Sequence, residues 1–188
     1  MSTIKAQVIL AGVGGQGILF SSKIFSELGL KLGLRVLGSE IHGMSQRGGS
    51  VISHLKLGPF LSPLIRHGAA DILYSFDKNE TYRALRFIKN GGVCFVNLPS
   101  QERFHKKILD HLKTKQIVFR AFDASGEAIK TGSIRAANIV LIGYSVGTGL
   151  VPFRQKDLRS VLMSVSRKAD LDRNLRALEA GIRAGESS

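Results

Sequence analysis

The hydrophobic pattern is clearest in the N-terminal third of the chain. Gln7-Val-Ile-Leu-Ala11 is a short apolar run ending at a glycine cluster, as expected of a strand buried on both faces. After Gly12–Gly17, the residues Ile18, Leu19, Phe20, Ile24, Phe25, Leu28 and Leu32 recur at helical spacing up to Gly33. Arg35-Val-Leu37 reads as a second strand, and a polar, glycine-rich stretch from Gly38 to Gly49 breaks the pattern. In Val51–Leu57 the alternation resumes. It places Val51, Ser53, Leu55 and Leu57 on one face and Ile52, His54 and Lys56 on the other.

Pro59 and Pro63 mark a loop through Ala69, and Ile72–Phe76 is the next strand. Asp77 is placed to cap a helix carrying Tyr82, Leu85 and Ile88, which Gly91-Gly92 should end. Val93–Val96 then reads as a strand, Ser100–Leu112 as a charged amphipathic helix, and Ile117–Phe122 as a further strand. Asp123 is a second candidate cap, for a short helix to Ile129. Residues 136–150 form an apolar helix, and 154–183 one or two amphipathic helices after Pro152. Strands alternating with helices favour βαβ units. The expected fold is therefore α/β, a Rossmann-like three-layer αβα arrangement with a mostly parallel sheet and a helical C-terminal extension. With no obvious linker, residues 1–188 are expected to form one domain.

Composition narrows the function classes. A chain of 188 residues with 44% hydrophobic and 22% charged residues lies near the globular average, which excludes disorder and collagen-like structure. The single cysteine, Cys94, excludes a disulfide framework, a multi-cysteine zinc site and an iron–sulfur cluster ligated by this chain alone. Cys94 lies in a strand and reads as a small core residue. No signal peptide is expected. The longest uncharged stretch, Ala136 to Phe153, is broken by glycines, Asn138 and Pro152, so a buried helix is the better reading than a membrane span. The net charge is +13, spread as surpluses of 5, 5 and 3 over residues 1–70, 71–150 and 151–188. A basic surface attracts nucleic acid, acidic proteins or phosphorylated ligands. Low aromatic content and dispersed charge make nucleic acid the weakest of these.

Two stretches carry candidate chemistry. Gly12-Val-Gly-Gly-Gln-Gly17 satisfies G-x-G-x-x-G between a strand and a helix, where the glycines permit a tight turn and close approach of backbone to a ligand. The helix N-terminus behind it offers N–H groups and partial positive charge to a phosphate. The same glycines could serve only the turn and its packing. For NAD(P), the companion acid would have to be Glu40, which does not stand directly at a predicted strand end. Ile18-Leu19 replace the Lys-Ser/Thr that a Walker A loop needs. The second stretch is Ser39-Glu-Ile-His-Gly-Met-Ser-Gln-Arg-Gly-Gly-Ser50, expected near the carboxyl edge of the sheet, where Arg47 beside Gly48-Gly49 suits a bidentate grip on phosphate. Glu40 and His42 lack a third metal ligand, and His54, His67, His105 and His111 have no metal-site spacing. No nucleophile–base arrangement, paired carboxylates or thiamine-binding Gly-Asp-Gly is found, so the chain lacks catalytic machinery of its own. Gly143-x-x-x-Gly147 leaves a smooth strip suited to tight packing on the sheet, or to a subunit contact.

Taken together, Gly12–Gly17, the segment Ser39–Ser50 with Val51–Leu57, and Ser62-Pro-Leu-Ile65 resemble the gamma subunit of 2-oxoacid:ferredoxin oxidoreductases, a group that includes the indolepyruvate oxidoreductase beta subunit. The resemblance is densest over residues 5–75, and Asn174, Glu179 and Gly181 look like the family's closing helix. Phe76-Asp-Lys-Asn-Glu80 departs from the more acidic, alanine-rich turn of relatives, which puts a partner contact there in doubt. The resemblance implies an accessory subunit that is inactive alone, in a cytoplasmic complex that oxidatively decarboxylates a 2-oxoacid to acyl-CoA. Coenzyme A would be the co-substrate near this subunit. Thiamine diphosphate and iron–sulfur clusters would sit on alpha, beta and ferredoxin-like partner subunits, and in isolation a homodimer is compatible with the same reading. Carried over by position, Gly12, Val13, Gly14, Gly15, Gln16 and Gly17, with Ser45, Gln46 and Arg47, would face the phosphates or pantetheine of coenzyme A. The competing reading is a stand-alone NAD(P)-dependent dehydrogenase using the same glycine loop.

Overall fold

The structure is a computed structural model that describes residues 4–43 and 48–188. Six strands form one sheet in the order β2-β3-β1-β4-β5-β6. β1 (Ala6–Val13) leads into α1 (Ile18–Lys31), and β2 (Val36–His42) then lies at the outer edge. β3 (Ser50–Leu57) returns between β2 and β1, antiparallel to both. β4 (Ala70–Ser75) lies on the other side of β1, followed outward by β5 (Ile88–Asn97) and β6 (Val118–Phe122), all parallel to it. Five of the six strands thus point one way, and the mostly parallel sheet is observed, with β3 the reversed strand.

Helices cover the two faces unequally. α1, α4 (Ala124–Lys130), α5 (Ala137–Gly147), α6 (Gln155–Val165) and α7 (Leu171–Glu186) pack with Val8, Leu10, Leu55, Tyr74 and Phe95 in the larger core. Phe25, Tyr74, Phe95 and Phe153 stack through that core with ring centroids 5.0–5.5 Å apart. α2 (Lys78–Ala84), α3 (Lys106–Thr114) and the loop through Ile65 cover Ile9, Leu73, Cys94 and Val96 on the opposite face. Both aspartate caps form: Asp77 accepts from Asn79 N at 2.8 Å and Glu80 N at 3.0 Å, and Asp123 from Gly126 N at 2.7 Å.

Four expectations need correction. Gly38 to His42 belong to β2, because pairing with β3 extends the strand through a polar sequence that lacks an apolar pattern at this exposed edge. Ile88 begins β5, and Gly91-Gly92 lie inside that strand beside a register shift, where Gly91 takes a φ of +73°. They do not end a helix. The helix placed at Ser100 starts only at Lys106. Lastly, Gly143 and Gly147 meet α7 of the same chain, not the sheet. They cross Gly181 and Gly185 of α7. A Cβ on Gly181 would fall 2.8 Å from Tyr144 N, and one on Gly185 would fall 2.8 Å from Thr148 N. Each helix is therefore smooth where the other's backbone touches it. The uncharged stretch after Arg135 becomes the 11-residue α5, and no helix among the described residues is long and apolar enough to cross a membrane.

His54 on β3 is buried, with 2% of its surface exposed. Its Nδ1 accepts from Ile65 N at 3.2 Å and its ring meets Phe87 edge to face at 5.1 Å, while Nε2 has no partner among the described residues. Burial holds its pKa below the ordinary histidine value, helped by the charges of Lys56 and Arg86.

Two predictions follow from this packing. Alanine is intrinsically better than glycine in a helix, yet Gly181→Ala should cost about 3 kcal/mol because backbone must move to admit the methyl. At roughly 2–4 °C per kcal/mol, Tm falls by about 6–12 °C in calorimetry, whereas Gly38→Ala, whose Cβ meets only ordinary contacts, leaves Tm nearly unchanged. For His54, the folded pKa lies below the unfolded one, so its stabilising contribution is complete above about pH 6.5 and is lost as pH falls through the folded value. Urea titrations between pH 7.5 and 5 should show wild type losing stability on acidification more steeply than His54→Asn, by at most about 1.4 kcal/mol per pH unit.

Candidate functional site

The glycine loop stands at the carboxyl end of β1, where the sheet changes hands: β3 lies on one side and β4 on the other. Ligands bind at such switch points in open α/β sheets. The loop is held largely by its own backbone. Gln16 N donates to Val13 O at 3.1 Å, and Gln16 folds back so that Oε1 accepts from Val13 N at 2.8 Å. Gly14 N donates to Gly49 O at 2.9 Å, which ties the turn after β2 to the corner. Ser50 begins β3 opposite Val13, and its hydroxyl donates to the buried Glu80 on α2. In the Phe76–Glu80 segment, Asp77 and Glu80 thus hold α2 and the turn in place.

Of the six loop positions, Val13, Gly14 and Gln16 therefore have internally bonded amides. Gly12 packs close to Gln16 and Phe76, where a Cβ would fall 3.3 Å from the Phe76 Cβ. Gly15, at φ +101°, and Gly17, at φ +79°, face outward together with the first turn of α1, which no side chain caps. Nothing lies within 4 Å of a Cβ built on Gly15. Gly17 is held instead by Asn138 of α5, whose buried Nδ2 donates to Gly17 O at 3.2 Å and to Ser21 Oγ at 3.0 Å. Ser45, Gln46 and Arg47, expected at the site, lie outside the described residues.

Three clefts meet at Gly15. One, of about 780 Å³, is an apolar furrow along Ile18, Leu19, Phe20 and Val51 that reaches His42 and Gly43. A second, of about 230 Å³, runs past Gln16 and Phe76 to Asn97 and Ser125. The third, of about 640 Å³, is walled by Lys23, Arg135, Arg167 and Arg173, with Asp170 and Asn138. Sequence inspection missed these four cations because they lie 118 to 156 positions from Gly17, apart from Lys23, which stands on α1 itself. The one local signal is the spacing Arg167-x-x-Asp170-x-x-Arg173, in which Asp170 accepts from both guanidinium groups. The Arg167 hydrogen bond, with that from Arg173, holds the Asp170 carboxyl below the usual carboxylate range.

The same topology counts against a nicotinamide site. In the dinucleotide fingerprint the acid stands at the end of the strand beside β1. Here that neighbour is the reversed β3, and Glu40 sits exposed within β2, one strand further out and paired with Ser53. Among the described residues no group of three His, Cys, Asp or Glu side chains is placed to hold a metal. Cys94 is fully buried, and burial pushes its thiol well above its ordinary pKa, so no thiolate is available there.

An open α/β switch point beside a basic wall is an arrangement chemically suited to an anion. The chain belongs to the pyruvate ferredoxin/flavodoxin oxidoreductase family, which it matches over residues 7–184. Indolepyruvate oxidoreductase subunit IorB of Pyrococcus horikoshii is 33% identical over 95% of each chain. The gamma subunit of a keto/oxoacid ferredoxin oxidoreductase from Geobacter sulfurreducens superposes with a TM-score of 0.74 at 23% identity, over 97% of this chain and 99% of that one. A 2-oxoglutarate:ferredoxin oxidoreductase from Magnetococcus marinus, solved with 2-oxoglutarate, coenzyme A and succinyl-CoA bound, gives 0.79 at 19% identity, over 98% of this chain and 31% of that one. The two structures establish the same fold.

The Asn138 bridge generates one prediction. Asn138→Ala removes the tie from α5 to Gly17 O and to the buried Ser21 hydroxyl, leaving Gly17 O only its donors within α1, Ser21 N and Ser21 Oγ, at a cost of about 0.5–1.5 kcal/mol. Hydrogen exchange should speed up at the amides of the first two turns of α1, while β4 and β5 remain protected.

Proposed function

We propose that this chain is the gamma-type subunit of a 2-oxoacid:ferredoxin oxidoreductase and that its glycine corner holds coenzyme A for the acyl-transfer step. The observation that carries this reading is the corner itself: open space at Gly15, the N-terminus of a 14-residue helix that no side chain caps, and a basic wall beside them. Near-full-length similarity to the IorB subunit supports assigning the chain to such an assembly. The residues fit the carrier. Gly15, Gly17 and the first turn of α1 would meet phosphate, Arg47 would add a bidentate grip from the turn that Gly49 ties to the corner, and the apolar furrow suits the uncharged pantetheine arm.

Coenzyme A supplies a thiol that accepts the acyl group, and this chain's part is to bind and orient it. Decarboxylation and electron transfer are assigned to thiamine diphosphate and iron–sulfur clusters on alpha, beta and ferredoxin-like partners. The single buried cysteine here agrees with that division. The basic surface, at +13, suits an acidic electron-carrier partner as well as the phosphates.

Co-expression with the thiamine- and cluster-bearing chains of the same operon is the direct test. The assembled complex should oxidise a 2-oxoacid with coenzyme A and ferredoxin, and this chain alone should not. Turnover by the isolated chain would overturn the proposal. Within the complex, Arg47→Ala removes a charge-assisted phosphate contact worth roughly 1.5–3 kcal/mol. The KM for coenzyme A should then rise by about one to two decades with little change in kcat, and an unchanged KM would remove Arg47 from the site.

A further inference from the structure

The cleft between α1, the turn before α5 and the α6–α7 junction gathers more positive charge than its own carboxylates balance. Lys23, Arg135, Arg167 and Arg173 line it, with Asp170 as the acid on its wall. Asp170 is already shared: Oδ2 lies 2.6 Å from Arg167 Nη2, and Oδ1 accepts from Arg173. Arg173 Nε is buried without a partner, and neither Lys23 nor Arg135 has an ion-pair partner among the described residues. Gathered like charges repel one another, and a ligand carrying several negative charges relieves that repulsion.

Resting on the reading of the glycine corner as a coenzyme A site, we infer that this cleft takes the phosphorylated adenosine end of the carrier, with the 3′-phosphate recognised by Arg167 and Arg173. The cleft and the apolar furrow open from the same residue, Gly15, in different directions. Charged and uncharged halves of one ligand can therefore part there. The basic cleft is the place for phosphates. The furrow, lined in part by Leu19, 51% exposed, suits the pantetheine arm, whose thiol must leave this chain to react. Asp170 positions the two guanidinium groups three residues to either side of it, which fixes a fork before the ligand arrives.

The test is direct binding, without turnover. Dissociation constants of coenzyme A, dephospho-coenzyme A and adenosine 3′,5′-bisphosphate are measured by calorimetry on the assembled complex with no 2-oxoacid present. Wild type should prefer coenzyme A over the dephospho form by roughly ten- to hundredfold, and the bisphosphate should compete with coenzyme A. In Arg167→Ala, whose side chain is 87% exposed and whose loss should spare the fold, that preference should shrink to about threefold or less. Equal affinity of wild type for the two carriers, or a preference undiminished in Arg167→Ala, overturns the inference while leaving the coenzyme A reading intact. Failure of the complex to bind coenzyme A at all defeats that reading and the inference with it.

Discussion

The helical layer depends on one close approach, the crossing of α5 and α7. Gly143 and Gly147 face Gly181 and Gly185, and at each of them an added Cβ would strike the other helix's backbone. Side chains do not set this spacing; main chain does, so it tolerates almost no substitution. Two features of the site hang on it. α5 carries Asn138, whose amide holds Gly17 and Ser21 and so fixes where the open N-terminus of α1 points. α7 begins just past Asp170, so the same crossing brings Arg167 and Arg173 to the wall beside Gly15. A helical layer that looks remote from the strand-to-helix turn thus determines what surrounds it.

The sheet imposes a second constraint. Because β3 runs back between β2 and β1, the strand beside the glycine corner begins there, and Gly49 just before it is brought to the loop. Gly49 O takes up the Gly14 amide, and Ser50 is tied to Glu80. In an ordinary dinucleotide fold that place belongs to a parallel strand with an acid for a ribose hydroxyl. With that strand reversed, no acid stands at its end beside the corner, and Gly49 lies there instead. The fingerprint glycines keep their role at the turn, without the acid that a nicotinamide carrier would need beside them.

How much of this was legible in the chain depends on how local each signal is. β1, α1, β3, β4 and the two aspartate caps carry their cause in adjacent residues, through apolar runs, helical spacing or a side chain that bonds its own helix. β2 beyond Leu37 does not, since Gly38, Ser39 and Glu40 form a strand only because β3 offers them partners. Gly91-Gly92 read as a helix stop for the same reason, because the residues before them also suit a helix and only pairing with β4 draws them into β5. The glycine loop announced the corner, but not which amides it leaves open. That follows from Gln16 folding back and from Gly49, a contact 35 positions away from Gly14. Gly143 and Gly147 signalled close approach without naming the partner, since the answering pair, Gly181 and Gly185, lies nearly 40 residues on.

The distribution of charge and reactivity argues for the division of labour between chains. The groups that could do covalent or redox work are withdrawn: Cys94 is sealed in β5, and Tyr74 is buried against Ser145 at 2.7 Å with its hydroxyl pushed to higher pKa by burial. The cations that line the corner, Lys23, Arg135, Arg167 and Arg173, are ammonium and guanidinium donors that suit an anion. A domain built this way can gain nothing by enclosing the reactive end of its ligand. On the coenzyme A reading proposed above, such a corner would stabilise the phosphates and leave the uncharged arm in the furrow that Leu19 lines, free to reach a reaction centre on another polypeptide.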